Sequence, residues 1–208
     1  MKLLKDSYKR FLSLFNYPYI EKELLNDMKG PLLLHISDTP VDIYNYILRI
    51  INIIKPQYII HTGDMADDIK LEIYKNRIDD YNKGIKKLIK ILEEDELSKI
   101  YYVLGNHDNY EAVSKLTKRG EILYEGVLSI EDCNIAVNHY HKEYSNKVDF
   151  NLYGHSFDPN HYVKNGTIGL NGTLNINIID LSNKKVFQIE YPMNTNVSRR
   201  MELRKIGL

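Results

Sequence analysis

The chain has 208 residues, which is enough for one domain with a substantial core. Its 28 Lys and Arg residues balance its 28 Asp and Glu residues, so net charge gives no overall attraction to nucleic acid or to an anionic membrane. A single cysteine, Cys133, excludes an intramolecular disulfide and a zinc cluster of thiolates, and it favours the reducing cytoplasm. No apolar run approaches the roughly 18 residues of a membrane span, and charges interrupt the N-terminal segment where a signal peptide would be apolar.

The first half of the chain alternates helix-like and strand-like segments. Residues 2–15 have helical spacing and predict an N-terminal helix. Three apolar runs predict buried strands: PLLLHIS (31–37), QYIIHTG (57–63) and IYYVLG (100–105). Between them, residues 41–54 and 78–92 each carry one apolar helical face. Strands and helices that alternate at this length predict right-handed crossovers and a parallel sheet.

The second half contains short strand-like runs that Gly, Asn and Asp separate. This pattern is typical of hairpins and a second sheet. Residues 195–206 predict a last amphipathic helix. We therefore expect a helical extension over residues 1–30, followed by one domain with two packed sheets over residues 31–208.

Polar side chains follow the predicted strands. The first three strands end in SDTP, GDMADD and GNHDNY, and two later strands end in NHYH and GHSF. The carboxyl ends of parallel strands open onto one crevice, so we expect these side chains to converge there. Carboxylate, amide oxygen and imidazole suit a divalent ion such as Mn²⁺, Fe²⁺ or Zn²⁺. Taken singly, Asp38 is also a helix-cap candidate, His141 and His161 surface candidates, and His35 and His61 core candidates.

In this order, the five segments resemble the motifs of the calcineurin-like metallophosphoesterase superfamily. The family pattern is Asp-x-His, Gly-Asp-x-x-Asp, Gly-Asn-His-Asp/Glu, a histidine at a strand end, and Gly-His-x-His; the corresponding stretches here are SDTP, GDMAD, GNHD, NHYH and GHSF. The flanking strands extend the resemblance over about residues 31–192. The resemblance implies an α/β fold, a four-layer α/β/β/α sandwich of two mixed sheets, with a two-metal site at the strand ends.

The resemblance also implies a role for each motif residue. The implied metal ligands are Asp38 for the first metal, Asp64 as the bridge between both metals, and Asn106, His139 and His155 for the second metal. It implies His107 as the general acid and Asp67 as the residue that orients His107. His141 is the alternative to His139, which we prefer because it ends the apolar run NIAVNH.

Two departures from the family pattern concern the first metal. Pro40 occupies the histidine position of Asp-x-His, and Phe157 occupies the last histidine position of Gly-His-x-His. We therefore expect one firmly bound ion, at the second metal position. A weak first ion, completed by water, Asp158 or His161, is the alternative, and such oxygen ligands would suit Mg²⁺ or Mn²⁺.

The expected function is a metal-dependent phosphoesterase that hydrolyses a phosphomonoester or a phosphodiester, with a metal-activated water as nucleophile and His107 as general acid. With one ion, either slow turnover or a preference for substrates with good leaving groups is expected. Mn²⁺ is the preferred ion, and Fe²⁺, Zn²⁺, Ni²⁺ and Mg²⁺ are alternatives. The substrate is a small phosphorylated molecule, with a nucleotide as one candidate; nucleic acid and a homo-oligomer stay open. Asp68 stands where the protein phosphatases of the family carry an arginine, which argues against a protein phosphatase. The alternatives are a catalytically impaired scaffold or binding protein with the same fold, and an unrelated α/β fold.

Overall fold

The structure is a computed structural model, and it describes Tyr8, residues 11–13 and residues 15–201. Tyr8 and residues 11–13 are helical, and Phe15 lies in a turn; the rest of the helix predicted over residues 2–15 falls outside the described residues. At the other end, the predicted helix over 195–206 begins as a short helix, and residues 202–206 fall outside the described residues. Each helix of the described chain is too short or too polar to cross a bilayer.

The first sheet is mixed and contains six strands. They are β1 (Leu32–Ile36), β2 (Tyr58–His61), β3 (Lys99–Val103), β4 (Glu121–Leu123), β10 (Asn175–Asp180) and β11 (Lys185–Glu190). Their order across the sheet is β11, β10, β1, β2, β3, β4. The four strands β1 to β4 are parallel, with Leu33 opposite Tyr58 and Ile59 opposite Ile100. The predicted parallel arrangement of the first three strands is confirmed, and β10 and β11 add an antiparallel edge.

The second sheet is also mixed and contains five strands. They are β5 (Glu125–Ile130), β6 (Cys133–Asn138), β7 (Phe150–Tyr153), β8 (Tyr162–Lys164) and β9 (Thr167–Asn171). Their order is β5, β6, β7, β9, β8, and β6, β7 and β9 are parallel to one another. The second half of the chain therefore supplies all of this sheet. It also supplies β10 and β11, which belong to the first sheet.

Helices cover the outer face of the first sheet. They are α1 (Lys22–Asp27), α2 (Tyr44–Ile54), α3 (Ile78–Leu92) and α4 (Tyr110–Leu116); α5 (Thr195–Ser198) is a single turn, and Val41–Ile43 and Lys75–Arg77 are 3-10 turns. Leu34 and Ile36 of β1 pack here with Ile47 and Ile50 of α2 and Leu88 of α3. Each fully buried Leu or Ile side chain contributes about 1.5–3 kcal/mol. The two predicted helices between the strands are confirmed, apart from the 3-10 turn that opens the first.

A second core lies between the two sheets. Leu33, Ile60 and Val103 of the first sheet pack against Val137 and Leu152 of the second sheet. Since Leu33 faces this core and Leu34 faces the helices, β1 is buried on both sides, which explains its continuous apolar run. The predicted α/β sandwich of two mixed sheets is confirmed.

A loop, residues 139–149, lies over the outer face of the second sheet. The Asn151 side-chain amide donates to the carbonyl oxygen of Lys142, and the Tyr144 hydroxyl donates to Asn138 Oδ1. This loop begins with His139, directly after β6. The sheet therefore fixes the position of a histidine at its carboxyl end.

Candidate metal centre

Polar residues from five strand ends meet at one place. The turns after β1, β2, β3, β6 and β7 bring together Asp38, Asp64, Asn106, His107, His139 and His155. All of these except His139 line a cavity of about 310 Å³, and His139 lies behind them with 2 % of its surface exposed. The convergence expected from the parallel strands is therefore present.

The His139 ring lies at the centre of a set of metal-ligand atoms. Its Nε2 atom is 3.0 Å from Asn106 Oδ1, 3.2 Å from His155 Nδ1 and 3.4 Å from Asp64 Oδ2. Its Nδ1 atom is 2.7 Å from the carbonyl oxygen of Thr62, which can only accept, so the proton of the neutral ring is assigned to Nδ1. The Asn106 amide is oriented because its nitrogen donates to Glu72 Oε2 over 2.7 Å. Three potential ligand atoms therefore surround His139 Nε2.

This donor set fits one divalent ion. Ligand atoms held about 2.1 Å from an ion, at tetrahedral or octahedral angles, lie about 3.0–3.4 Å from one another. The measured separations from His139 Nε2 span the same range. Two imidazoles, a carboxylate and an amide oxygen are ligands that Mn²⁺, Fe²⁺ and Zn²⁺ accept.

The pKa shifts of His139 and Asp64 show that the site favours a positive charge. Burial lowers the pKa of His139, but the Asp64 carboxylate more than offsets this effect and raises it to about 10. Burial would raise the pKa of Asp64, yet His139 and the backbone N–H of His107 hold it below its ordinary value. Without an ion, a second proton on His139 supplies the positive charge that the surrounding acceptors need.

Three of the converging residues have a left-handed backbone. The φ angles of Asp38, Asp64 and His155 are +50°, +57° and +65°. This conformation costs a non-glycine residue of order 1–3 kcal/mol and concentrates at functional sites. The rest of the fold therefore stabilises these turns against a local preference for another conformation.

A buried arginine supports the turn after β1. Arg199, directly after α5, is completely buried, and it donates to the carbonyl oxygens of Ser37, Asp38 and Thr173. Its guanidinium also lies 4.2 Å from the centroid of the Tyr191 ring. On the cavity side, Asp38 Oδ2 accepts bonds from the hydroxyls of Ser37 and Thr173 and from the backbone N–H of His155. The Asp38 carboxylate is therefore fixed in place.

His107 lies beside the ligand set and is oriented by the backbone. Its ring Nδ1 accepts from the N–H of Glu72 over 3.2 Å, and burial lowers its pKa. One oxygen of Asp67, one oxygen of Asp64 and one ring nitrogen of His107 all lie within 4.8 Å of one another. However, Asp67 Oδ1 accepts from Lys70 Nζ over 2.5 Å, and the buried Oδ2 has no hydrogen-bond partner in the described structure. Asp67 is thus near His107, while the hydrogen bond that orients the ring comes from Glu72.

A family model for calcineurin-like phosphoesterases matches residues 31–197. The chain belongs to the calcineurin-like phosphoesterase family. Members of this family depend on divalent metal ions and act on phosphorylated substrates. The resemblance inferred from the five motifs is therefore confirmed. A search of curated protein sequences gave no match.

Solved phosphoesterase structures have a similar fold. An archaeal phosphodiesterase is 19 % identical, with a TM-score of 0.54, and the alignment covers 76 % of this chain and 99 % of that chain. Yfce, a phosphoesterase from E. coli, is 14 % identical, with a TM-score of 0.51, over 77 % of this chain and 99 % of that chain. At these identities the similarity concerns the fold alone.

Three further candidate ligands do not line the cavity. The His141 ring packs edge-on against the rings of Tyr153 and Tyr162. His161 uses both ring nitrogens elsewhere, since Nδ1 accepts from the Asn171 backbone and Nε2 faces Asn175 Oδ1. Asp158 is exposed. The structure therefore brings His139, and not His141, to the ligand set.

Two histidines inside the strands have structural contacts. The Thr39 hydroxyl donates to the carbonyl oxygen of Met65, so it accepts from His61 Nε2, while Nδ1 of that ring accepts from Gly63 N–H. The His35 ring lies between the Thr62 hydroxyl, 2.9 Å from Nε2, and the Asn177 side-chain amide, which donates to Nδ1 over 3.2 Å. Burial lowers the pKa of both rings to about 3, so both are neutral and support the strand ends behind the ligands.

Four polar residues at this site were not identified from the sequence. Lys70, Glu72 and Tyr140 line the cavity, and Arg199 supports Asp38 from behind. Lys70 stands three residues after Asp67, a spacing that suits an ion pair in a helical turn, and this was the one local signal. Arg199 carried no signal, because its partners lie far away in sequence.

Proposed function

We propose that the protein is a metal-dependent phosphoesterase that hydrolyses a phosphomonoester or a phosphodiester. The observation that carries this proposal is the convergence of ligand atoms from Asp64, Asn106, His139 and His155 on one point, beside His107. Membership of the calcineurin-like phosphoesterase family supports it. Mn²⁺ is our preferred ion, and these four residues would hold it.

The reaction combines the ion with a proton donor of the chain. When bound, the ion supplies a Lewis acid that polarises the phosphate and acidifies a water molecule. Because Nδ1 of His107 accepts from the Glu72 N–H, we assign the proton of the neutral ring to Nε2, which lies 3.3 Å from the amide nitrogen of Asn106. His107 Nε2 then donates this proton to the leaving oxygen. Asp38 and Asp64 follow the carboxyl ends of the neighbouring parallel strands β1 and β2, and both face this cavity.

The cavity favours a leaving group with a planar ring. Tyr140 is half exposed at the cavity, and its ring centroid is 4.3 Å from that of His155. An exposed aromatic face stacks well on a base or an aryl group. We therefore include nucleotides and aryl phosphates among the proposed substrates.

The boundaries of the phosphoesterase domain are also part of the proposal. We assign residues 31–208 to it and residues 1–30 to a helical extension. The family match begins at residue 31, in agreement with this division. The cytoplasmic location inferred from the single cysteine stays a prediction.

Hydrolysis by the metal-loaded protein tests the proposal. Chelator-treated protein is given Mn²⁺, Co²⁺ or Ni²⁺ and assayed on an aryl phosphate, a bis-aryl phosphate and a cyclic nucleotide. We expect metal-stimulated release of product, and a loss of about 10²–10⁴-fold in kcat for His107→Ala with unchanged circular dichroism and metal content. The matched variant His141→Ala should retain activity, because that ring lies outside the cavity. Absence of turnover with all three metals would overturn the proposal and leave the scaffold as the better explanation.

A further inference from the structure

A buried ammonium group faces the candidate metal centre. Lys70 is 4 % exposed, and it lines the same cavity as Asp38, Asp64 and His155. Lysine is almost never buried to this degree without compensation, because an unpaired charge loses its hydration. The position of Lys70 therefore needs a partner for its charge.

Asp67 accepts only one of the hydrogen bonds that the Lys70 ammonium group can donate. Lys70 Nζ is 2.5 Å from Asp67 Oδ1, and the Asp67 side chain is completely buried. An ammonium group has three N–H donors, and among the described residues Asp67 provides its one acceptor. Two N–H donors thus remain for an acceptor inside a cavity of about 310 Å³.

The backbone holds Lys70 in this position. Its φ angle is +52°, and its carbonyl oxygen accepts from the N–H groups of Ile73 and Tyr74 over 2.9 Å each. A left-handed backbone is unfavourable for a lysine. The turn therefore directs the side chain inward despite a local cost.

The cavity carries more negative charge than one divalent ion can balance. Three carboxylates, of Asp38, Asp64 and Glu72, line the cavity, and Asp67 lies beside it. One divalent ion balances two of these charges, while a phosphate ester brings further negative charge. Neither Pro40 nor Phe157 has a side-chain ligand for a second ion.

We propose that Lys70 is a phosphate-binding residue of this site. Its two remaining N–H groups donate to non-bridging oxygens of the phosphoryl group, so the fixed ammonium supplies positive charge that a second ion supplies in a two-metal site. This inference deepens the proposed function and rests on it for the identity of the ligand as a phosphoryl group.

Binding of inorganic phosphate tests the inference without turnover. Titration calorimetry on the Mn²⁺-loaded protein compares the wild type with Lys70→Met and Lys70→Arg. We expect Lys70→Met to weaken phosphate binding about 10- to 100-fold and to raise KM for the ester, with unchanged metal content. Lys70→Arg keeps the charge and should retain most of the affinity. Lys90→Met, at an exposed lysine of α3, is the matched control and should bind phosphate like the wild type.

A double-variant cycle separates phosphate binding from mere neutralisation of Asp67. If Lys70 binds phosphate, Lys70→Met should weaken phosphate binding equally in the wild type and in Asp67→Asn. If Lys70 only neutralises Asp67, its replacement should have no effect in the Asp67→Asn background, and the inference is overturned. If Lys70→Met alone does not fold because the Asp67 carboxylate is left unpaired, the comparison is made in the Asp67→Asn background, where that carboxylate is absent.

The outcomes distinguish this inference from the proposed function. Turnover by the wild type, with unchanged phosphate affinity and KM in Lys70→Met, would reject the role of Lys70 and leave the phosphoesterase standing. Phosphate binding that depends on Lys70, without turnover of any ester, would support the inference and reject the hydrolase. A wild type that binds no phosphate would overturn the role of Lys70.

Discussion

His139 connects the fold to the proposed chemistry, because its two ring nitrogens have different partners. Nδ1 is tied to the Thr62 carbonyl oxygen at the end of β2, and Nε2 faces Asp64, Asn106 and His155. In the absence of an ion the pKa of His139 is about 10, so the ring carries two protons at neutral pH. An ion that binds Nε2 must therefore displace one proton.

This exchange predicts that metal affinity depends on pH. Below a pKa of about 10 the competing proton is bound, so the apparent affinity for Mn²⁺ should rise about tenfold per pH unit between pH 7 and pH 9. Calorimetry in buffers of different ionisation enthalpy should show release of about one proton per ion at pH 7.5. His139→Ala should lose the site, while His141→Ala should behave as wild type. An affinity that does not change with pH would contradict the assignment of His139 as a ligand.

The individual residues differ in how well sequence could predict them. Asp64, Asn106, His139 and His155 were predicted to share a site because each stands at the end of an apolar, strand-like run, and the structure brings them together. Arg199 contacts the carbonyl oxygen of Asp38 across 161 positions of sequence. Neither periodicity nor composition carries information about such a contact, so only the tertiary structure could reveal it.

At the scale of elements, the turns after β2 and β3 are built as one unit. The Asp108 carboxylate accepts from the backbone N–H groups of Asp64, Met65 and Gly105 and from the Tyr81 hydroxyl. This network draws the two turns together so closely that Gly105 has no room for a side chain. A Cβ atom there would lie 2.3 Å from Asp64 Oδ1 and 2.8 Å from His139 Cε1.

A single added methyl group should therefore damage the metal centre. We expect Gly105→Ala to displace Asp64 and His139, to lower Mn²⁺ affinity at least tenfold, and to reduce the free energy of unfolding by about 1–3 kcal/mol. The matched control is Gly126→Ala in β5, where a Cβ atom would meet nothing within 4 Å. Calorimetry and urea denaturation measure both effects. Equal behaviour of the two variants would show that the close contact at Gly105 has no consequence for metal binding.

Most elements of the first half were predictable, and the pairing of the last strands was not. The strands β1 to β3 and the helices α2 and α3 have apolar periodicities that define them locally. In contrast, β10 lies beside β1, with Leu32 opposite Asp180. Since strands in either sheet have similar local sequences, only the tertiary packing decides which sheet a late strand joins.

At the scale of the whole molecule, metal content and stability are linked. We expect elemental analysis to find about one transition ion per chain, and Mn²⁺ at 100 times its dissociation constant to stabilise the fold by about 2.7 kcal/mol. For a chain of this size the melting temperature should rise by about 5–10 °C in differential scanning calorimetry. His139→Ala serves as the control and should show no shift. Two ions per chain would indicate a rebuilt first metal site, and none would favour a scaffold.

The buried Arg199 has a consequence for the order of events during synthesis. β1 and its polar turn leave the ribosome early, yet the carbonyl oxygens of Ser37 and Asp38 find their guanidinium partner only after residue 199 has emerged. Because domains generally fold as units, we expect the candidate metal centre to form only when the chain as far as Arg199 is available. The turn after β1 therefore gains this support late, from a residue 161 positions further along the chain.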